Sequence, residues 1–172
     1  MWLSAARFRD YNDRVLELSD QTHAALEAGI RETLRELADS ATRETKALMA
    51  QSRGDSGGAL RQGLRGLRSR LPEHEAKLFA LHLDLGVYDA AAIGERVAKE
   101  IRQVVHRIAE SLAKTFRGAE RVAARRAAIV FEADVGTYTS GTVGRALVAV
   151  ERHRRQSQTA VEVGSEREPL AV

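Results

Sequence analysis

Three features predict an all-α fold for this chain, an elongated, coiled-coil-like antiparallel bundle of two long helices and two or three shorter ones. The first is an apolar stripe formed by Ile93, Val97, Ile101, Val104, Ile108, Leu112, Thr115, Ala119, Val122 and Val130, with Arg126 inside it. Ten steps cover 37 residues, about 3.7 residues per turn and close to the helical period. The second is the same arithmetic near the N-terminus, through Tyr11, Val15, Leu18, Thr22, Leu26, Ile30, Leu34, Leu37, Ala41, Thr45 and Leu48. The third is composition: 44% hydrophobic but 5% aromatic, 30% charged and only two prolines in 172 residues. Small apolar residues and charged helix formers favour helix over sheet.

The N-terminal stripe places a helix over residues 4–51. Val15, Leu26, Leu37 and Leu48 recur every 11 residues, a repeat that packs nearly straight or slightly right-handed. Opposite charges four apart (Glu27 with Arg31, Asp39 with Arg43, Glu95 with Lys99, Glu110 with Lys114) add a few tenths of a kcal/mol each, roughly, to helix formation.

Residues 52–58, with glycines at 54, 57 and 58, form a break. The tripeptide Arg53-Gly54-Asp55 resembles an integrin ligand, but in this setting it reads as a polar turn between helices. A shorter helix follows over 59–71 with Leu60, Leu64, Leu67 and Leu71 on one side. Glycines at 63 and 66 weaken it and allow a close helix approach. Pro72 restricts the residue before it and suits a first helical turn, so 73–85 is expected as the second half of a kinked pair. Gly86 is its C-cap.

Asp89 caps the second long helix, expected over 89–134 at a length of about 65–70 Å. Gly136 to Gly141, rich in threonine and serine, reads as a loop, and residues 142–158 as a last helix. The domain assignment is one bundle over 1–158 and a flexible tail over 159–172. Helices 4–51 and 89–134 share a period and are expected to pack antiparallel. The single-chain core looks thin and alanine-rich, which favours homo-oligomerisation or a protein partner.

The net charge of +3 is unevenly spread. Residues 1–50 hold 7 basic and 9 acidic groups, residues 51–72 hold 5 and 1, residues 73–100 hold 3 and 6, and residues 101–126 hold 7 and 2. Basic and acidic blocks therefore alternate, which suits pairing between helices or binding to an anionic surface, nucleic acid or lipid. The candidate anion- or partner-binding residues are Arg61, Arg65, Arg68 and Arg70 on the short helix, with Lys114, Arg117, Arg121, Arg125 and Arg126 on the long one. Lys114, Arg117, Arg121 and Arg125, spaced 3, 4 and 4, read as one ridge of like charge, which destabilises an isolated helix unless something anionic lies against it.

Chemistry is sparse. There is no cysteine, so thiolate nucleophiles, thiolate metal sites and disulfides are excluded. No histidine follows a glutamate by three or lies four from another histidine, which removes the di-iron and two-histidine zinc patterns. The weak grouping of His74 with Glu73 and Glu75 reads as surface. No phosphate loop or nucleophile context is present. The expectation is a protein that is not an enzyme and takes no cofactor or metal.

Residues 1–10 show no secretory leader pattern and no apolar run approaches a membrane span, so a cytoplasmic location is the default expectation. The leading functional expectation is a structural, assembly or adaptor protein acting through helix–helix oligomerisation. In its alanine-rich composition and 11-residue period over residues 4–135 the chain also loosely resembles the phasins of polyester storage granules. That resemblance implies an amphipathic helical coat on a lipid or granule surface. Nucleic-acid binding through the arginine clusters is a third expectation, with few aromatics for base stacking.

Overall fold

The computed structural model describes the backbone of residues 5–165 and the side chains of residues 19–161. Among the described residues the chain forms five helices and no strand: α1 (Ala5–Gln51), α2 (Ser56–Asp84), α3 (Ala90–Ala113), α4 (Gly118–Ser140) and α5 (Thr142–Ser165). The all-α bundle is therefore as the stripes require.

In α1 the stripe faces inward, with Leu26, Ile30, Leu34, Leu37, Ala41 and Thr45 buried. The side chains of Tyr11, Val15 and Leu18 lie outside the described residues. The helix stops at a turn in which Gly54 takes φ 95°, a left-handed conformation that costs glycine little. Asp55 then caps α2, its carboxylate accepting from the Gly58 N–H at 2.8 Å.

The kinked pair expected around Pro72 is one continuous helix. A proline inside a helix costs about 3 kcal/mol through its missing N–H and ring clash. Leu67, Leu71 and Leu78, all fully buried around it, contribute roughly 1.5–3 kcal/mol each, and that packing prevails. At the far end Gly86 (φ 80°) donates to the Leu83 carbonyl and Val87 to that of His82. These two bonds satisfy the last turn as a Schellman cap. Asp89 caps α3 as expected, accepting from Ala92 N–H at 3.1 Å.

The expected 89–134 rod is a correction: the chain breaks at residues 114–117 and folds back. Thr115 Oγ1 turns to the Leu112 carbonyl at 2.7 Å, Phe116 tucks into the core at 4% exposure, and Gly118 adopts φ 57°. A left-handed residue ends one helix direction and starts another. Folding back also changes the buried face. Ala124, Ala128, Phe131, Val135 and Thr139 pack inward, while Val122 and Val130, expected in the core, are 57% and 70% exposed. The gain is burial of the larger Phe131 ring and a small-residue seam that lets α4 approach α3.

The loop expected over 136–141 shrinks to Gly141. Thr137, Thr139 and Ser140 donate their hydroxyls to the carbonyls of Ala133, Gly136 and Thr137, so this polar run is satisfied within the helix. The last helix reaches Ser165; residues 166–172 lie outside the described residues.

Helices α1 to α4 run up, down, up and down. Glu44 pairs with Arg70, Glu36 with Lys77, and Gly29 lies against Leu81, which sets α1 and α2 antiparallel. Glu27 pairs with Arg96, while farther along Thr42 and Ser111 line one groove, so α3 runs parallel to α1. The expected antiparallel partnership of residues 4–51 with 89–134 is thus replaced by α1 with α2. A shared period fixes which faces can meet, not the direction of meeting. α4 returns along α3, with His106 against Glu132 at 2.9 Å. From Gly141 α5 continues past the start of α3, where His153 meets Tyr88 with ring centroids 5.7 Å apart.

Leu37, Leu60, Leu67, Leu71, Leu78, Ile93, Ile101 and Leu112 are the largest fully buried side chains alongside His82. The core of α1–α3 is therefore leucine- and isoleucine-rich, correcting the thin alanine core expected. Alanines dominate only the seam under α4 and α5, at Ala124, Ala128 and Ala146. The acidic α1 meets its partners within the chain, through Glu27, Glu36 and Glu44. Of the expected pairs four apart, Glu110 with Lys114 forms at 3.0 Å, whereas Arg31 Nε donates to the Glu27 carbonyl. No helix among the described residues is long and apolar enough to cross a membrane.

Candidate partner-binding surface

Helix α4 is amphipathic in an inverted sense. Its buried stripe is mostly small, and its outer face carries Val122, Ile129 and Val130. Across Gly141, α5 continues this face with Val143, Leu147 and Val148. Of these six, Val143 is the least exposed, since its backbone lies against Gly94 of α3. Among the described residues, every large exposed apolar side chain on a helix lies on α4 or α5.

Between α2 and α4 this surface deepens into a groove of about 690 Å³. Leu64 forms the α2 wall, and Val122, Ala123, Val130 and Phe131 form the α4 wall. Arg61 and Arg65, one helical turn apart on α2, face Arg126 across the groove. None of these three makes an ion pair or hydrogen bond with another described residue. Asp134, at one end, is already taken by Arg68 Nε at 3.0 Å.

The remaining expected residues separate. Arg68 lies over the Tyr138 ring at 4.2 Å, and Arg70 is held by Ser40 and Glu44. The expected ridge of Lys114, Arg117, Arg121 and Arg125 is split by the helix break. Lys114 ends α3 and pairs with Glu110, and Arg117 stands exposed at the start of α4 without a capping bond. Arg121 and Arg125 share with His106, Glu110, Lys114 and Glu132 a recess of about 210 Å³. Carboxylates offset the cations there, and the Glu132 carboxylate, bonded to His106, raises the imidazole above its ordinary pKa. Arg126, expected inside the core stripe, is on the open side because the stripe it belonged to is the exposed one.

At the α4–α5 junction lies a cluster the sequence did not reveal. Glu75, 2% exposed, accepts from Arg145 Nε at 2.5 Å, Arg145 Nη2 at 3.0 Å and Thr142 Oγ1 at 2.9 Å. Arg145 also donates to the Tyr138 carbonyl at 2.8 Å, and its guanidinium covers the face of the Tyr138 ring at 4.1 Å. Tyr138 thus lies between two guanidiniums. Burial, then the nearby Glu75 charge, pushes its phenol up to about 12, and the buried phenol oxygen has no hydrogen-bond partner. Every charge in this cluster is met inside it, so it clamps α2 to the junction. His74 Nδ1 donates to the Arg70 carbonyl at 3.0 Å, and His74 and Glu75, expected at the surface, are instead buried, Glu75 under the α4–α5 junction and His74 within the packing of α2. Among the described residues no group of three or more His, Asp or Glu side chains is placed to hold a metal ion.

The open apolar residues had a signal in the sequence. Ile129, Val130 and Phe131 are consecutive, and a helix cannot turn three neighbours to one side. The run Val143, Ala146, Leu147, Val148, Val150 likewise exceeds what one buried face accommodates.

Among the described residues, fold and surface define an up-and-down helical bundle with exposed apolar side chains on α4 and α5 and arginines around the α2–α4 groove. No family model, curated protein or solved structure matches the chain.

Proposed function

We propose that this chain is a non-catalytic assembly or adaptor protein that works by helix–helix association through the outer face of α4 and α5. The observation that carries this reading is that, among the described residues, every exposed large apolar side chain on a helix lies on α4 or α5. Fully burying a valine or leucine contributes roughly 1.5–3 kcal/mol, so several of them left open on adjoining helices mark an interaction surface. The α5 portion suits self-association. Val143, Leu147 and Val148 lie beside Glu151 and Arg152, charges of both signs that a two-fold axis can pair across copies.

Size-exclusion chromatography with light scattering tests this at micromolar concentration. The wild-type mass is expected above that of one chain, and Leu147→Asp with Val148→Asp is expected to return it to one chain with helicity intact. A monomeric wild type overturns self-association through α5.

A further inference from the structure

We propose that the groove between α2 and α4 is a docking site for an amphipathic helix of another protein, one whose apolar stripe is bordered on both sides by aspartate or glutamate. The proposal rests on the reading of this chain as a helix–helix assembly protein and names the chemistry of one partner.

Size and shape come first. The α4 wall runs from Ala119 to Asp134, about 22 Å at 1.5 Å per residue. That accommodates four turns of a helix laid alongside it. The apolar lining of Leu64, Val122, Val130 and Phe131 suits the stripe of a helix lying in a groove.

Charge then selects the occupant. Arg68, Arg70 and Arg145 are all met by carboxylates of the same chain, whereas Arg61, Arg65 and Arg126 around the groove are met by none of the described ones. Cations stand on both walls, so an entering helix meets one flank of arginine on α2 and another on α4. Carboxylates bordering the stripe on each side would form charge-assisted, fork-shaped pairs with them.

A second copy of this chain does not fit the same groove. The midpoint of Val122 and Val130 is Arg126, so a two-fold axis there sets Arg126 against its own image. It also gathers Arg61 and Arg65 of both copies, with Asp134 already bound to Arg68. Nucleic acid lacks a stacking platform, since the one ring in the groove, Phe131, is buried. A bilayer wets protruding faces, and these arginines surround a recess.

The test uses a fluorescein-labelled helical peptide of about 18 residues, with leucines in one stripe and glutamates on both sides, and the same peptide with glutamines. Fluorescence anisotropy is expected to show on the order of tenfold tighter binding of the glutamate peptide. Arg61→Gln, Arg65→Gln and Arg126→Gln together, all at exposed positions, are expected to remove that preference. Val130→Asp should abolish binding of both peptides. Leu147→Asp with Val148→Asp should leave binding unchanged while breaking self-association. Equal binding of the two peptides, or a preference that survives the triple substitution, overturns the proposal. So does tighter binding to phosphatidylserine vesicles or duplex DNA than to the glutamate peptide. The two readings fail separately: a monomeric wild type that discriminates between the peptides refutes self-association alone. An oligomer that does not discriminate refutes the groove alone.

Discussion

Gly94 sets how closely α3 and α5 approach, and replacing it with alanine measures that contact. A Cβ added there would lie 2.5 Å from Val143 Cα, 2.9 Å from its Cγ2 and 3.1 Å from its N. Carbon atoms rest at about 3.5–4.0 Å, so the two helices must part by roughly 1 Å over this turn. Two of the three atoms are backbone, so no rotamer change relieves the clash. Overpacking of this kind costs about 1–3 kcal/mol, here toward the upper end, and is offset by up to about 1 kcal/mol from the better helix propensity of alanine. The expected net loss is about 1–2 kcal/mol, or roughly 2–8 °C in Tm for a chain of this size. Gly136, inside α4, is the control, because a Cβ there meets nothing within 4 Å. Gly136→Ala makes the same chemical change and should stabilise by about 0.5–1 kcal/mol. Urea unfolding followed by far-UV circular dichroism reads both. Equal stability of the two variants would refute the close approach of α3 and α5.

Other substitutions probe other contacts. At Gly63 an added Cβ would fall 2.1 Å from Thr45 Oγ1, so Gly63→Ala should destabilise by about 1–2 kcal/mol. A double-mutant cycle with Thr45→Ala should recover part of that loss, and strict additivity would refute the contact. His82 is buried, its Nδ1 donates to the Leu78 carbonyl at 2.7 Å, and its Nε2 lacks a partner. Burial lowers its pKa below 6.5, so the unfolded chain takes up the proton first. Its contribution to stability is complete above about pH 6.5 and is lost as pH falls through the folded value, by at most about 1.4 kcal/mol per pH unit. The exposed His106, its pKa raised by Glu132, acts in the opposite sense, so the effect is read as wild type minus His82→Leu across pH 5–7, and no difference in slope would refute it. Tyr138→Phe removes a buried hydroxyl that has no partner, and should be neutral or stabilising by up to about 1 kcal/mol. Tyr138→Ala, which removes the ring between Arg68 and Arg145, should cost about 2–4 kcal/mol. Similar losses in both variants would place the stabilisation in the hydroxyl instead.

Much of the architecture was legible because local chemistry decided it. Asp89 and Gly86 were readable as caps since each satisfies backbone groups one turn away, and the stripe from Leu26 to Thr45 was readable because its spacing alone selects the inward face. Two features needed tertiary packing. Pro72 looked like a boundary, yet the leucines around it bury deeply enough to carry the helix through. The turn at residues 114–117 contains neither proline nor paired glycines, and only the burial of Phe116 and the left-handed Gly118 make it a reversal. The groove inherits that difficulty. Arg61, Arg65 and Arg126 stood out as cations, but their convergence depends on α4 folding back and turning Val122 and Val130 outward. The Glu75–Arg145 clamp joins residues 70 positions apart, which no local pattern announces.

The helix order has a consequence for how the chain is made. α1 with α2, and α3 with α4, are neighbours in sequence, joined through only residues 52–55 and 114–117. Short connections keep the entropy of loop closure small, and bundles dominated by such near-neighbour pairings fold within microseconds to milliseconds. Synthesis at about 5–20 residues per second is far slower, so the α1–α2 hairpin can close while α3 is still in the ribosome tunnel. The exposed valines of α4 and α5 emerge after α1, α2 and α3, onto a core already begun. The sticky part of this protein is thus withheld until the body that must carry it exists, which limits the time in which those side chains could capture an unfinished neighbour.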